Sequence, residues 1–460
     1  MDMVAQKTTF QKYPAYKESG VEWLGKIPKE WEVKKLKFVG NIYAGINGKK
    51  GDDFSKEYKK GLKPFIPFTN ICNNSKIDEI QYQFVKIDEK ENQNRVKAND
   101  ILFLMSSETL DDIAKCSIYL GMNEELYLNS FCKGFRISNP DINPKYINYL
   151  FSSKIYRNYF ALVGRGFTRI NLKQEFINDA LITIPTLSEQ TAIANFLDDK
   201  TAKIDRAITQ KERMIELLKE RKQIIIQNAV TKGLDPNAKM KHSGVEWIGE
   251  IPEHWEVKKF RYVFNLGKGL TITKENLQDE GIACVNYGEI HSKYGFEVNP
   301  EIHELKCVDI EYLKSSPNAL LKQGDFVFAD TSEDIEGSGN FTYLNSKQKT
   351  FAGYHTVIAR PKRIVNSRFL AYSFDSLSFR NQIRNKVKGV KVYSITQSIL
   401  SEPVVWLPTI KEQEEIVAFL DNKCIMYDQS INLNVRQINK LKEYKATLID
   451  SAVTGKIKVC

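Results

Sequence analysis

The stretch Gly164-Arg-Gly-Phe-Thr-Arg-Ile-Asn-Leu-Lys173 gathers Arg165, Arg169, Asn171 and Lys173 around Phe167. A matching place in the second half, Arg380 to Tyr393, carries Arg384, Lys386, Lys388 and Lys391. Arg and Lys neutralise phosphates or donate to guanine edges, and Asn pairs with adenine, so both segments are candidates to position and to read DNA. The formal net charge of +10 agrees in sign, because each cation laid on a phosphate releases counterions. Residues for covalent chemistry are missing. No GxxxxGK[ST] phosphate loop, GxSxG elbow or complete GxGxxG turn occurs. An Asn/Asp-Pro-Pro-aromatic tetrapeptide, as placed beside the reacting base by amino-methyltransferases, is also absent; Asp235-Pro-Asn237 lacks the aromatic. The acidic run Asp330-Thr-Ser-Glu-Asp334 is read as loop and strand-end carboxylates rather than a metal-dependent nuclease centre. Five histidines, all after residue 241, form no HExxH arrangement, and seven scattered cysteines form no CxxC pair, so neither a metal site nor a disulfide framework is expected.

What positions the two cationic segments is stated twice in the chain. Lys17 to Val39 and Lys241 to Val263 are identical at 15 of 23 positions with an offset of 224. Pro185-Thr-Leu-Ser-Glu-Gln190 leads to Phe196-Leu-Asp198, and Pro408-Thr-Ile-Lys-Glu-Gln413 leads to Phe419-Leu-Asp421, offset 223. A period this long is that of a duplicated domain, not of a solenoid turn. Thr186 with Glu189, and Thr409 with Glu412, read as capping boxes opening long helices. From Ile193 an apolar stripe runs through Leu197, Ile204, Ile208, Ile215, Leu218, Ile225 and Ala229, and its duplicate through Ile416, Leu420, Tyr427, Ile431, Ile438, Leu441, Leu448 and Ala452. Neither stretch contains proline or glycine before Gly233 and Gly455, so each predicts one helix of roughly 40 residues, about 60 Å long. A single stripe on so long a helix needs a partner; two-fold-related duplicates supply each other in antiparallel sense, a coiled coil with Lys200, Lys423, Lys211 and Asn434 as polar seam positions.

Between the repeat blocks, Ile, Val, Phe, Tyr and Thr runs broken by Gly, Asn and Pro predict short strands with some helix. Ile101 to Leu104 and Phe326 to Phe328 read as buried strands entered from tight turns, and Tyr146 to Tyr159 and Phe369 to Arg384 as helices. The fold class is mixed α/β: two α+β globular domains separated by two long helices in an antiparallel coiled coil, with an internal pseudo-two-fold repeat. The boundaries expected are an N-terminal segment at 1–20, a first domain at 21–185, a first helical spacer at 186–233, a second domain at 234–408 and a second spacer at 409–460. The hydrophobic share of 42% with 27% charged residues is that of an ordinary globular chain. No apolar run approaches the roughly 18 residues of a membrane span, and the start lacks the apolar core of a signal peptide, so a cytoplasmic protein is expected.

In the G-x-E-W-x-G-x-I-P-x-x-W and P-T-x-x-x-E-Q-x-x-I-x-x-F-L-D blocks, and over essentially its whole length, the chain resembles the specificity subunit of type I restriction-modification systems. The Asp100-Ile-Leu-Phe and Gly324-Asp-Phe-Val-Phe-Ala-Asp stretches are similar to those of its target-recognition domains. The resemblance implies a non-catalytic subunit whose two domains each read one half of a split site in double-stranded DNA, with the coiled coil as a ruler for the gap. It further implies two modification (methyltransferase) subunits binding S-adenosylmethionine, docked along the spacers, and two restriction (motor-nuclease) subunits using ATP and Mg; this chain would bind no cofactor. Trp23, Trp31, Trp247 and Trp255 are either a shared docking surface or core anchors. The rival reading is a coiled-coil adaptor whose domains bind proteins or glycans.

Overall fold

The computed structural model describes residues 10–166, 168–389 and 391–459. They form two compact units, one made of the chain up to Glu212 with the chain from Arg436 onward, the other of Arg213–Val435. Both long helices are present. Leu187–Lys232 has 46 residues and Ile410–Val453 has 44. The box at the second start is complete: Thr409 Oγ1 accepts from Glu412 N at 3.3 Å, and Glu412 Oε2 accepts from Thr409 N at 3.1 Å. In the first, Thr186 Oγ1 accepts from Glu189 N at 3.3 Å, while the Glu189 carboxylate takes the Tyr13 hydroxyl instead. Gly233 and Gly455, each at φ +73°, terminate the helices in the left-handed conformation that glycine reaches at least cost. A Cβ at Gly455 would meet Pro28 Cδ at 2.3 Å, so the chain passes that helix end too closely for any side chain.

Within each unit the helix segments run antiparallel. In the first, Lys445 Nζ meets Asp205 at 2.7 Å and Lys211 bonds Gln437 Oε1. In the second, Lys222 Nζ meets Asp428 at 2.7 Å, and Ile226 shares an apolar cluster with Leu420 and Ile416. Of the four expected polar seam positions, Lys211 reaches the other helix, while Asn434 turns back to the Ser430 carbonyl of its own helix at 2.9 Å, and Lys200 and Lys423 lie over the Phe196 and Phe419 rings of theirs at 5.8 and 5.7 Å.

The globular parts repeat one frame. In the first unit a sheet runs Cys116–Ile118, Ile101–Leu104, Cys132–Ile137, Gly40–Ala44, antiparallel throughout. The second unit repeats it as Phe341–Leu344, Phe326–Ala329, Thr356–Pro361, Phe264–Lys268, and adds Phe296–Val298 parallel to the Phe341–Leu344 edge. Ile101–Leu104 and Phe326–Ala329 are buried at every residue. The turns that enter them need a left-handed residue, supplied by Asn99 (φ +70°) and Gly324 (φ +89°). Behind each turn sits a buried carboxylate with an arginine. Asp100 takes Arg136 Nε at 2.9 Å and Nη2 at 2.7 Å; Asp325 takes Arg360 Nε at 2.8 Å. Burial pushes the Asp325 carboxyl up, against the hydrogen bonds from Lys322 and Arg360 that hold it down.

The two sequence-predicted domain helices are each broken in two, Pro144–Ser152 with Lys154–Val163 and Ser367–Asp375 with Leu377–Arg384. The break falls on Ser153 and Ser376, extended at ψ 149°, whose hydroxyls donate to Leu150 and Ser373 carbonyls at 2.6 and 2.5 Å. A serine that satisfies the helix end locally competes with continuation, a tie that apolar periodicity does not register. Trp31 and Trp255 are each 1% exposed. Burying such a ring removes roughly 150–250 Å² from water, about 4–6 kcal/mol at ~25 cal/mol/Å², which settles both as core anchors. Trp23 stacks on Tyr159 at 4.8 Å, whereas Trp247 stays 42% exposed. No helix among the described residues is long and apolar enough to cross a membrane.

Candidate nucleic-acid interface

The repeated motifs clamp each long helix to its domain. Gln190 and Gln413, both buried, accept the backbone N–H of Asn143 and Asn366 at 2.8 Å and donate to the Pro185 and Pro408 carbonyls at 2.9 Å. Asn143 and Asn366 in turn cap the Pro144–Ser152 and Ser367–Asp375 helices. About two turns further, Asp198 accepts from Tyr149 Oη at 2.7 Å and from Lys145 and Lys76 at 2.9 Å. Asp421 accepts from Tyr372 Oη at 2.6 Å and Arg368 Nε at 2.7 Å. Burial works against the Asp198 charge, yet the Tyr149 and lysine hydrogen bonds hold its carboxyl below the ordinary value. These groups are engaged by the protein, so the E-Q and F-L-D signatures fasten a helix to a domain.

Each clamp fixes the broken helix from whose second piece, Lys154–Val163 or Leu377–Arg384, the cationic loop leaves. In the first unit Ile170–Asn171 pairs with Ser106–Ser107, and in the second Tyr393–Ser394 pairs with Thr331–Ser332. The two loops share a close approach at a glycine. A Cβ at Gly166 would meet the Arg169 carbonyl oxygen at 1.9 Å, and one at Gly389 would meet that of Val392 at 2.2 Å. This register aligns Ile170 with Tyr393, and so Arg165 with Lys388, Arg169 with Val392 and Lys173 with Thr396. The two cationic sets share one aligned position.

Arg165, Arg169, Asn171 and Lys173 are all exposed and come together on one loop. Arg165 donates to the Leu162 and Gly164 carbonyls at 2.6 and 2.9 Å and its backbone bridges Asn171, so it braces the loop. Arg169 lies 4.9 Å over the Phe131 ring, which is 47% exposed. Phe167, named as the aromatic of this cluster, lies outside the described residues. In the second unit Lys386, Lys388 and Lys391 are exposed. Arg384 differs: it ends the Leu377–Arg384 helix, its Nη2 donates to the Glu336 carbonyl, its Nε is buried without a partner among the described residues, and burial lowers its pKa. One nitrogen of its guanidinium is thus engaged by the protein, which the run of positive letters could not reveal. The acidic run is loop chemistry: Asp334 Oδ1 accepts from Gly337 N at 2.6 Å, and Asp330 pairs with His355 at 3.1 Å. Among the described residues no three His, Cys, Asp or Glu side chains come together as metal ligands. Phe131 and His355, which lie in turns, and Gln174, which opens the Gln174–Asn178 helix and whose Oε1 accepts from Lys133, escaped the sequence reading because they lie in segments far apart in the chain.

The comparisons agree with this frame. The family model described as type I restriction modification DNA specificity domain matches twice, over residues 28–217 and 252–443. The MjaVIII type I restriction enzyme specificity subunit of Methanocaldococcus jannaschii is 25% identical over 438 residues, 94% of either chain. The EcoKI type I specificity subunit of Escherichia coli K12 is 25% identical over 434 residues, 91% of this chain and 88% of that one. Among solved structures, a chain from a study of assembly and conformational transition of the type I R-M system matches with TM-score 0.68 at 15% identity, over 93% of this chain and 98% of that one. The HsdS subunit of Thermoanaerobacter tengcongensis matches with TM-score 0.53 at 14% identity, over 94% and 98%, a likeness of fold. With the family model matched once in each repeat, the chain belongs to the type I restriction-modification DNA specificity family.

Proposed function

We propose that this chain is the non-catalytic DNA reader and assembly scaffold of a cytoplasmic type I restriction-modification complex. Residues 21–185 and 234–408 are its two recognition domains, each reading one half of a bipartite site in double-stranded DNA; 1–20 is an N-terminal segment, and the spacers 186–233 and 409–460 set the gap. The observation that carries this is the pairing of one clamped frame, stated twice, with different exposed side chains on its loops. DNA contacts come from Arg165, Arg169, Asn171 and Lys173 in the first domain and from Arg384, Lys386, Lys388 and Lys391 in the second, Arg384 also holding the Glu336 carbonyl. The chain itself binds no cofactor. S-adenosylmethionine belongs to two modification subunits, and ATP with Mg to two motor-nuclease subunits.

Docking of the modification subunits on the spacers is supported by what the helices leave uncovered. In the second unit Met214, Leu217 and Ile224 (48, 43 and 43% exposed) each precede a seam residue by one position, and so do Met426 and Leu433 (59 and 52%). On an antiparallel pair the same displacement from the seam faces the same side on both helices, so these five apolar side chains make one face. The Arg221 side chain, which also precedes a seam residue by one position, lies beside it, makes no ion pair among the described residues and suits an amphipathic helix with an acidic flank. Methylome sequencing of cells expressing this chain with its modification subunit tests the reading. A split motif with a fixed gap, present only with this chain, is expected; a stable complex that methylates no new motif would instead favour the adaptor reading.

A further inference from the structure

The shared frame allows the two units to be compared atom for atom where the cationic loop meets the sheet. In the first unit Met105 N donates to the Phe131 carbonyl at 3.0 Å, and Leu172 N to the Met105 carbonyl at 2.9 Å. In the second, Asp330 N donates to the His355 carbonyl at 3.0 Å, and Ile395 N to the Asp330 carbonyl at 2.7 Å. Met105 thus aligns with Asp330 and Phe131 with His355, while the loop register aligns Arg169 with Val392. Three aligned backbone positions therefore carry Met, Phe and Arg in one unit and Asp, His and Val in the other.

The chemistry of the two triplets is opposite. Met105 is buried beneath the site, Phe131 is a half-exposed seat, and Arg169 rests on that ring with a guanidinium that makes no hydrogen bond or ion pair among the described residues. Such stacking restrains the plane of the fork while its donors stay uncommitted to the protein. In the second unit Asp330 Oδ1 meets His355 Nδ1 at 3.1 Å, and Asp330 Oδ2 accepts no hydrogen bond among the described residues. The pair lines an open cavity of about 680 Å³ with Thr271, Ser394 and Gln397. His355 is held at φ +55°, a conformation unfavourable for a residue with a Cβ that persists only where the surroundings impose it.

We propose that these aligned triplets are the base-specific readers of the two recognition domains: Arg169 on Phe131 reads a guanine through its O6 and N7 acceptors, and Asp330, oriented by His355, reads a cytosine through its N4 amine. The inference rests on the reading that each domain faces DNA, and adds which residue discriminates and against what edge. A fork of donors matches guanine's pair of acceptors, whereas a carboxylate, which only accepts, repels that edge and takes the amine of cytosine.

The test is methylome sequencing with Arg169→Gln and Asp330→Asn, both at exposed or half-exposed positions, with co-purification of the modification subunit scored in parallel. Each change should act in one half-site only. Arg169→Gln is expected to lower discrimination roughly ten- to hundredfold at a single guanine of one half and admit adenine there, since Gln pairs with adenine. Asp330→Asn is expected to do the same at a single cytosine of the other half. Relaxation in the same half by both variants overturns the assignment, as does an unchanged motif, or uniform loss across the site by a variant that still binds the modification subunit. Arg169→Lys guards against a folding defect, since it keeps the charge and relaxes the position only if the fork geometry matters. Absence of any split motif with the unaltered chain would refute the DNA-reading function itself, a separate outcome.

Discussion

Asp198 and Asp421 show how far a residue's role can sit from its apparent chemistry. Each ends an F-L-D signature and looks available, yet each is filled by a tyrosine hydroxyl and cationic side chains of its own domain. Because the folded pKa of Asp198 lies below its ordinary 3.8, its stabilisation is fully present above that value and disappears as pH falls through the lower folded value. Asp198→Asn should therefore cost the first unit about 1–3 kcal/mol at pH 7, and the gap between variant and unaltered chain should close as pH drops below about 4. Chemical denaturation at pH 7 and pH 3 measures it; an equal gap at both would mean that the charge is not what Tyr149 and the lysines recognise. Arg384 carries the converse lesson, because a cation in a basic run proved to be committed to a backbone carbonyl.

At the scale of elements, the spacer helices were legible from three features: the capping boxes, the uninterrupted stripe and the terminal glycines. Their limits at Lys232 and Val453 fall beside the glycines that the sequence marked. The broken domain helices were not legible, because Ser153 and Ser376 end a turn by a side-chain hydrogen bond that hydrophobic spacing cannot show. The exposure of one apolar set on the spacers was not legible either, although the residues themselves differ between the two repeats. At the offset of 223, Met214, Leu217, Ile224, Met426 and Leu433 correspond to Gln437, Lys440, Thr447, Lys203 and Gln210. Leu433→Lys, at a position 52% exposed, should leave thermal stability within about 0.5 kcal/mol of the unaltered chain. It should nevertheless weaken retention of the modification subunit at least tenfold in co-purification or native mass spectrometry. Undiminished retention would remove this face as the docking surface.

For the molecule as a whole, the ruler idea depends on helices that transmit length. Both run without an internal proline or glycine, and 46 residues correspond to about 69 Å of helix. Inserting four residues, a little over one turn, after Gln210 should change the gap of the methylated motif by one or two base pairs while both half-sites keep their bases. Methylome sequencing reads gap and half-sites together. A changed gap with constant halves is the expected outcome, and an unchanged gap would mean that the spacer length does not set it.

The sequence by itself determined the duplication, the long helices with their ends, the buried strands entered through Asn99 and Gly324, and the family. Those features are written in spacing, caps and apolar runs, which are local in the chain and were kept in both copies. The loops that bear Arg165 to Lys173 and Lys386 to Lys391 were also marked, as charge around glycine. Only the tertiary structure decided which members of those loops are free, that the repeated Gln and Asp signatures clamp helices to domains, and that Met105, Phe131 and Arg169 align with Asp330, His355 and Val392. The reason is physical: a hydrogen-bond partner or an aromatic seat comes from strands and loops tens of residues away. Its identity depends on strand register, and a slip of one residue turns each side chain of a strand to the other face.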